Sequence, residues 1–145
     1  MRKIVTAAFC SVANQPLWVR VGMVGTHIGW MSAAYLAYRA NDIPLTLLAA
    51  GTVLFSSTFH LTGRRGFEII DTTYAVLYLG LGPLLLSVAG ASLQEWLLGS
   101  FMTVAALAIY IISTHRRLSG KCLAYVEWHA LWHIAASMLT LFIYG

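Results

Sequence analysis

The chain has 145 residues, of which 59% are hydrophobic and only 10% are charged. Soluble domains usually carry about 25% charged residues, so this composition excludes an ordinary soluble protein, and we expect the apolar excess to face lipid. The formal net charge is +4, but the basic residues lie mostly in short segments between apolar runs. That placement is typical of membrane topology and does not indicate a nucleic-acid partner.

Five apolar runs are long enough to cross a bilayer, whose hydrocarbon core needs about 20 helical residues. The runs are roughly 17–38, 43–62, 69–90, 94–114 and 122–144. They predict an all-α fold, an integral membrane bundle of about five transmembrane helices that forms a single domain over residues 1–145. Residues 1–15 are expected to form an interfacial helix, the alternative being a cleaved signal segment.

Local signals support these boundaries. Asp42 is placed to cap the second helix, and Pro16 and Pro44 stand where a missing N–H costs nothing. A Gly-Leu-Gly-Pro segment at 80–83 predicts a kink in the third helix. Gly25 and Gly29 form a GxxxG pattern that permits close helix contact, although the pattern is common by chance in membrane spans.

The basic residues predict the orientation. With five spans, one side of the membrane holds eight of them and the other side only Arg39. The eight are Arg2, Lys3, Arg20, Arg64, Arg65, Arg116, Arg117 and Lys121. Positive residues favour the cytoplasm, so we expect a cytoplasmic N-terminus and an outside C-terminus. Both cysteines, Cys10 and Cys122, then lie near the cytoplasmic face and are expected to be reduced thiols.

Ionisable residues inside the predicted spans are candidates for function, because burying them in a bilayer is costly. They are His27, His60, Asp71, His129 and His133. His129 and His133 are four residues apart and so share a helix face, a suitable geometry for binding one metal ion. Ser56 and His60 have the same spacing. His27 has no ionisable neighbour three or four residues away, and we interpret it as a packing residue.

The helix directions predict that His60, Asp71 and His129 lie at one depth, toward the cytoplasmic side. The second helix ends there, the third begins there, and the last begins there after two crossings. Each of these residues could instead have a purely structural role. The histidines would then be hydrogen-bonded packing residues, and the aspartate would be a helix cap. For Ser56, the corresponding interpretation is a hydroxyl bonded to its own backbone. The coincidence of depth favours a shared site.

These residues resemble the signature of the CREST superfamily, which includes alkaline ceramidases, progestin and adiponectin receptors and bacterial haemolysin III-like proteins. Ser56-Ser57-Thr58-Phe59-His60 is similar to the family's Ser-x-x-x-His. Asp71 matches its Asp, and Trp128-His129-Ala130-Leu131-Trp132-His133 contains its His-x-x-x-His. The chain has room for five helices where the family generally has seven. It would therefore be a shortened member of the bacterial type, placed in the inner membrane, with some pocket wall missing and with assembly as a homo-oligomer open.

The resemblance implies a zinc ion (Zn2+) on His60, His129 and His133, with Asp71 and Ser56 in the surrounding shell. Three histidine ligands leave a fourth position for water, as in catalytic zinc sites. The expected activity is hydrolysis of the amide or ester of a membrane lipid, in which zinc-bound water attacks the acyl carbonyl. Asp71 would transfer the proton, and Ser56 would hold the water or donate to the oxyanion.

Three other functions remain open from the sequence. A receptor or sensor would hold zinc only for structure, and the resemblance also allows this. A b-type haem carrier would use paired histidines, but His129 and His133 lie on one side of one helix, whereas the two axial ligands of a haem approach from opposite directions. A serine hydrolase built on Ser56 and His60 lacks any GxSxG motif.

Overall fold

The computed structural model describes residue 10, residues 14–88 and residues 91–144, and this part of the chain is entirely helical outside its turns. The helices are α1 (Leu17–Gly25), α2 (Ile28–Arg39), α3 (Ile43–Thr62), α4 (Arg65–Val88), α5 (Leu93–Leu118) and α6 (Cys122–Tyr144). All five predicted runs are therefore confirmed as helical, and the all-α fold class is confirmed. Most of the predicted interfacial helix, residues 1–15, lies outside the described residues.

Within the described residues, two helices are long and apolar enough to cross a membrane by length and composition alone. They are α3 and α5, and 17% of the apolar window of α5 is buried inside the protein. The Trp-His-x-x-Trp-His segment lowers the mean hydropathy of α6, and the first run is divided between two short helices. A bundle of five spans therefore stays a prediction.

The first predicted span is divided, which the hydropathy pattern did not show. α1 ends at Gly25 and α2 begins at Ile28, so that Thr26 and His27 lie between them. The Thr26 hydroxyl donates to the carbonyl of Met23 at 2.6 Å. The amides of Thr26 and His27 bond three residues back, to Met23 and Val24. This tightened turn replaces the regular α-helical bonds and sets His27 at the break.

Side-chain caps begin two of the longer helices. Asp42 accepts a hydrogen bond from the amide of Leu45 at 3.0 Å, which confirms it as the N-cap of α3. Ser92 and Glu95 form a reciprocal capping box at the start of α5, a signal that the sequence analysis missed. α4 is helical through the segment 80–83, in which the sequence predicted a kink.

α6 is the helix around which the others are arranged. It packs along α5 and α2, and it also contacts α1 and α4. Alanines on several helices, among them Ala33, Ala37, Ala49, Ala106 and Ala136, are nearly fully buried in the core. Large apolar side chains such as Trp18, Leu47, Phe101 and Leu123 are more than 60% exposed. Small residues inside and large apolar residues outside are the pattern expected of helices that pack against one another within lipid.

One glycine allows α2 to approach α6 closely. A Cβ atom added at Gly29 would lie 2.9 Å from the Cβ of Ser137, which real structures do not tolerate. A Cβ added at Gly25 would meet nothing within 4 Å. Of the two glycines in the GxxxG pattern, Gly29 is therefore the one that serves helix contact. It lies two residues after His27, and Ser137 lies one turn after His133, so this contact brings the two histidines together.

The two cysteines form a disulfide, which corrects the prediction of reduced thiols. Cys10 and Cys122 are 112 residues apart in sequence, yet their Cα atoms are 4.9 Å apart. The prediction rested on the redox compartment and took no account of distance. The fold places Cys10 beside the first residue of α6, and that position brings the two sulfur atoms together.

Replacing Gly29 by alanine should loosen the bundle at the α2–α6 contact. Because the added methyl group overlaps Ser137, either α2 must move away or Ser137 must shift, at a cost of about 1–3 kcal/mol. Thermal unfolding of purified protein in detergent should show a clear fall in Tm for Gly29→Ala. Gly25→Ala is the matched control and should unfold like the native protein. Equal melting of the two variants would show that the close contact is not needed for stability.

Candidate metal centre

Four helical segments bring the predicted polar residues into one buried site. His27 lies at the break between α1 and α2, and Ser56 and His60 lie on the second half of α3. Asp71 is on the first half of α4, and His129 and His133 are on α6. All six side chains are at most 7% exposed. α3, α4 and α6 therefore meet around these side chains, and their depth in a membrane stays a prediction.

The histidine rings contact one another directly. His60 Nε2 and His133 Nε2 are 3.3 Å apart. The ring centroids of His129 are 4.8 Å from His133 and 5.2 Å from His60. Two nitrogens on one tetrahedral zinc ion, each about 2.0–2.1 Å from the metal, are separated by about 3.3–3.4 Å. The His60–His133 distance therefore fits two ligands of a single ion.

His27 belongs to the cluster, although the sequence analysis treated it as a packing residue. His27, His60 and His133 are buried, and their ligand atoms all lie within 4.8 Å of one another, so these three residues could hold a metal ion. The ring of His27 is 4.5 Å from that of His133. The sequence analysis examined only neighbours on the same helix, whereas the neighbours of His27 come from α3 and α6.

The hydrogen bonds divide the four histidines into two kinds. Within the described part of the chain, His60 Nδ1, His129 Nε2 and His133 Nδ1 are buried without a hydrogen-bond partner. Both ring nitrogens of His27 are bonded, Nε2 to Ser56 Oγ at 3.0 Å and Nδ1 to Ser57 Oγ at 3.1 Å. Buried polar atoms are almost always partnered, and an orphaned one calls for an explanation such as a missing ion. The three imidazoles with an unpartnered nitrogen are those of the three predicted zinc ligands, and in His60 and His133 the unpartnered atom is Nδ1, whereas the atoms that face each other are Nε2.

The surroundings of His129 also fit a ligand. The hydroxyl oxygen of Ser113, on α5, lies 3.4 Å from His129 Nδ1. A hydroxyl that accepts a bond from Nδ1–H leaves Nε2 without a proton, which is the form that binds metal, and metal-ligating histidines usually have such a partner. Sequence reasoning missed Ser113. The one feature that marks Ser113 in the sequence is its position two residues before His115, and that histidine is exposed.

The Ser56 side chain is close enough to Asp71 to interact with its carboxyl group. One carboxylate oxygen of Asp71, Oδ1, is buried without a partner. Ser56 thus contacts both Asp71 and His27, and it links the carboxylate on α4 to the histidine cluster. Ser56 is bonded to His27, and Asp71 lines one cavity with His129, while the roles expected of both residues stay predictions.

A small cavity reaches both Asp71 and His129. Its volume is about 30 Å³, enough for one or two water molecules. Phe59, Tyr110, Tyr125 and Trp132 form part of its wall. Asp71 and His129 therefore both contribute to the wall of one water-sized space.

An ion pair lies at the edge of this cavity. Arg117 of α5 is bonded to Glu68 of α4, and the guanidinium also lies 5.8 Å from the centroid of the Tyr125 ring. Both charged side chains are about one quarter exposed. Arg117 thus already has a carboxylate partner.

Comparisons with family models, with curated proteins and with solved structures find no match to this chain. The resemblance to the CREST superfamily therefore rests on the signature residues themselves. The geometry adds independent support for a metal site, because it assembles three orphaned imidazoles from two helices that are distant in sequence.

Alanine variants should separate the ligands from the other histidine in the cluster. We expect His60→Ala, His129→Ala and His133→Ala to lose zinc, because each removes a free imidazole nitrogen. His27→Ala should retain zinc, since both nitrogens of His27 are engaged by serines. Elemental analysis of purified protein measures this, with exposed His115→Ala as the control. Loss of zinc from His27→Ala with full retention in His129→Ala would instead assign the site to His27, His60 and His133.

Proposed function

We propose that this chain is a zinc-dependent hydrolase that cleaves the amide or ester of an acyl lipid within the membrane. The observation that carries the proposal is the Asp71–Ser56 pair beside three imidazoles with unpartnered nitrogens. A purely structural site would need the imidazoles, but it would give no role to a buried carboxylate facing a water-sized cavity. The resemblance to the CREST signature supports the same assignment.

The residues fit a zinc ion held by His60, His129 and His133. When bound, zinc activates water and polarises the substrate carbonyl. Asp71 faces the cavity and can take a proton from water there and pass it to the leaving amine or alcohol. Ser56 can donate its hydroxyl hydrogen toward charge that develops on the carbonyl oxygen. The aromatic wall limits the number of waters around these groups.

The substrate is inferred from where the site lies. Two helices of the protein are suited to a bilayer, and the site lies between them and their neighbours. A lipid amide or ester could reach such a site laterally from the membrane. Because Arg117 is paired with Glu68, we assign the recognition of an anionic headgroup to the exposed Arg64 in this region.

We propose five spans, with α1 and α2 together forming the first, a cytoplasmic N-terminus and placement in a bacterial inner membrane. Two features bear on the orientation and point in opposite directions. The distribution of basic residues places the start of α6 in the cytoplasm. The disulfide between Cys10 and Cys122 at that end is typical of an oxidising compartment.

The geometry disfavours a b-type haem. Two axial histidines must stand on opposite faces of the porphyrin, whereas His60 Nε2 and His133 Nε2 lie 3.3 Å apart with no room for a macrocycle between them. A receptor with structural zinc remains the second candidate. In that case Asp71 and Ser56 would serve only to connect α3 and α4.

Replacing Asp71 by asparagine should separate these two candidates. The variant keeps the size and much of the hydrogen bonding of the carboxylate but cannot accept the proton. We expect turnover to fall by about 10²–10⁴-fold, while zinc remains bound with an affinity that is at most about 10–100-fold weaker. The assay compares both proteins on ceramides, other N-acyl lipids and phospholipids, with zinc measured in parallel.

Asp42→Asn is the matched control, because asparagine caps a helix as well as aspartate does. This variant should retain turnover. Equal turnover by Asp71→Asn and the native protein would remove Asp71 from the mechanism. If the native protein cleaves none of the lipids, the receptor becomes the better assignment.

Reporter fusions test the five-span topology. A reporter after residue 145 should behave as extracytoplasmic, and one inserted between α5 and α6 should behave as cytoplasmic. The expectation follows from the single span, α6, that separates the two positions. If both reporters lie on one side, α6 does not cross the membrane. If they lie on opposite sides in the reverse order, the disulfide is on the outside and the charge distribution is overridden.

A further inference from the structure

The cavity that reaches Asp71 and His129 is walled by two kinds of side chain. The fully buried wall residues come from α3, α4 and α6, and they are Phe59, Asp71, Ala75, Tyr125, His129 and Trp132. Among the described residues of this wall, the half-buried ones all belong to α4 and α5, and they are Glu68, Thr72, Tyr110, Thr114 and Arg117. The cavity therefore comes closest to the surface of the protein along the seam between α4 and α5.

An open groove lies outside this seam. Its volume is about 290 Å³, and it is lined by Glu68, Ile69, Thr72 and Thr73 of α4. Ile69 and Thr73 are exposed, so the groove is on the outer surface. Glu68 and Thr72 belong to the walls of both the groove and the cavity. These two side chains therefore stand between the two spaces.

The ion pair between Glu68 and Arg117 closes one end of the seam. Glu68 lies in the first turn of α4 and Arg117 in the last turn of α5, so the pair ties these two helix ends together. Arg117 also lies against the ring of Tyr125, which belongs to the buried wall. One turn farther along the two helices, Thr72 and Thr114 contribute only short side chains to the seam.

The surroundings of the seam are apolar. α5 is long and apolar enough to cross a membrane, and 17% of its apolar window is buried inside the protein. Ile69 of α4 and Ile111 of α5 are both more than half exposed. In a bilayer, the seam would open onto acyl chains, with the charged pair at the helix ends reaching toward the bilayer surface.

We infer that an acyl lipid enters between α4 and α5, from the groove past Thr72 and Thr114 into the cavity, and that the Glu68–Arg117 ion pair closes this entrance. At about 30 Å³ the closed cavity holds one or two water molecules, so the two helices must part to admit an acyl group. The inference rests on the proposed function for the identity of the lipid. It adds the route by which the acyl carbonyl reaches Asp71 and His129.

Photochemical cross-linking locates the entrance without depending on hydrolysis. The probes are a ceramide and a phosphatidylcholine, each with a diazirine beside the acyl carbonyl, added to the purified protein in detergent. Because any lipid-facing helix reacts to some extent, the informative attachments are those that excess unlabelled lipid of the same class suppresses. Mass spectrometry should place these on residues 68–73 and 110–117. Suppressible attachments confined to α1, α2 or α3 would overturn the inference, as would their complete absence.

Variants of the ion pair test its closing role. Glu68→Ala should raise suppressible cross-linking about two- to fivefold, because a partly exposed ion pair holds two helices together only weakly. Exchanging the charges, with Glu68→Arg and Arg117→Glu in one chain, should restore the native level. Glu127→Ala is the control, because it removes an exposed carboxylate of α6 that lines neither space. Cross-linking by Glu68→Ala at the native level would show that the pair does not close the entrance.

Bulky side chains at the seam should block the route. Thr72→Phe and Thr114→Phe should each lower suppressible cross-linking and reduce kcat/KM by about tenfold or more, because apparent affinity falls with the fraction of molecules that can open. Zinc content and Tm are measured in parallel, and variants on two helices guard against a folding defect in either. Val104→Phe, at an exposed position of α5 that lines neither space, should behave like the native protein. Native cross-linking by both seam variants would overturn the route.

The outcomes for the entrance and for the hydrolase can be told apart. Suppressible attachment at the seam without turnover of any lipid would support the entrance while the proposed hydrolase fails. Turnover by a protein whose suppressible attachments lie elsewhere would support the hydrolase and overturn the entrance.

Discussion

The structure depends on one constraint, which is that polar side chains buried between apolar helices must find partners for their hydrogen bonds. A buried polar group without a partner costs several kcal/mol. Both ring nitrogens of His27 are hydrogen bonded to serine hydroxyls, and one ring nitrogen of His129 is hydrogen bonded to Ser113. His60, His129 and His133 each keep one nitrogen that does not meet this constraint. Ligand atoms of His27, His60 and His133 lie close enough together for one cation to bind them.

The backbone is arranged so that these partners can meet. Small residues bring the helices close, and Gly29 allows α2 to lie directly against Ser137. The break between α1 and α2 then turns the His27 side chain toward α3 and α6. An unbroken helix would carry position 27 at a different angle. The break and the close contact together determine that a fourth imidazole joins the site.

The sequence predicted much of this fold, for physical reasons. The limits of α3 and α6 could be predicted because each is an apolar run of about the thickness of a bilayer. The pairs Ser56–His60 and His129–His133 could be predicted because a four-residue spacing places side chains on one helix face. The meeting of α3, α4 and α6 followed from counting how often the chain crosses the membrane.

The parts that could not be predicted depend on contacts between helices. The break at Thr26 is made by backbone bonds that run three residues back, from Thr26 to Met23 and from His27 to Val24, and hydropathy does not detect such bonds. The role of His27 depends on partners about 30 residues away in sequence, at Ser56 and Ser57. Ser113 has no pattern of its own. The role of a histidine within an apolar helix is therefore set more by the helix that packs against it than by the residues one turn away on its own helix.

The bond between Cys10 and Cys122 closes a covalent loop between two residues that are 112 apart in sequence. α1 to α5 all lie within that loop, and α6 begins at its closing residue. During synthesis Cys122 emerges after α1 to α5, so the loop can close only once these five helices have been made. In an oxidising compartment, the bond would therefore mark chains in which Cys10 has met the start of α6, and migration on a non-reducing gel would distinguish them from chains in which it has not.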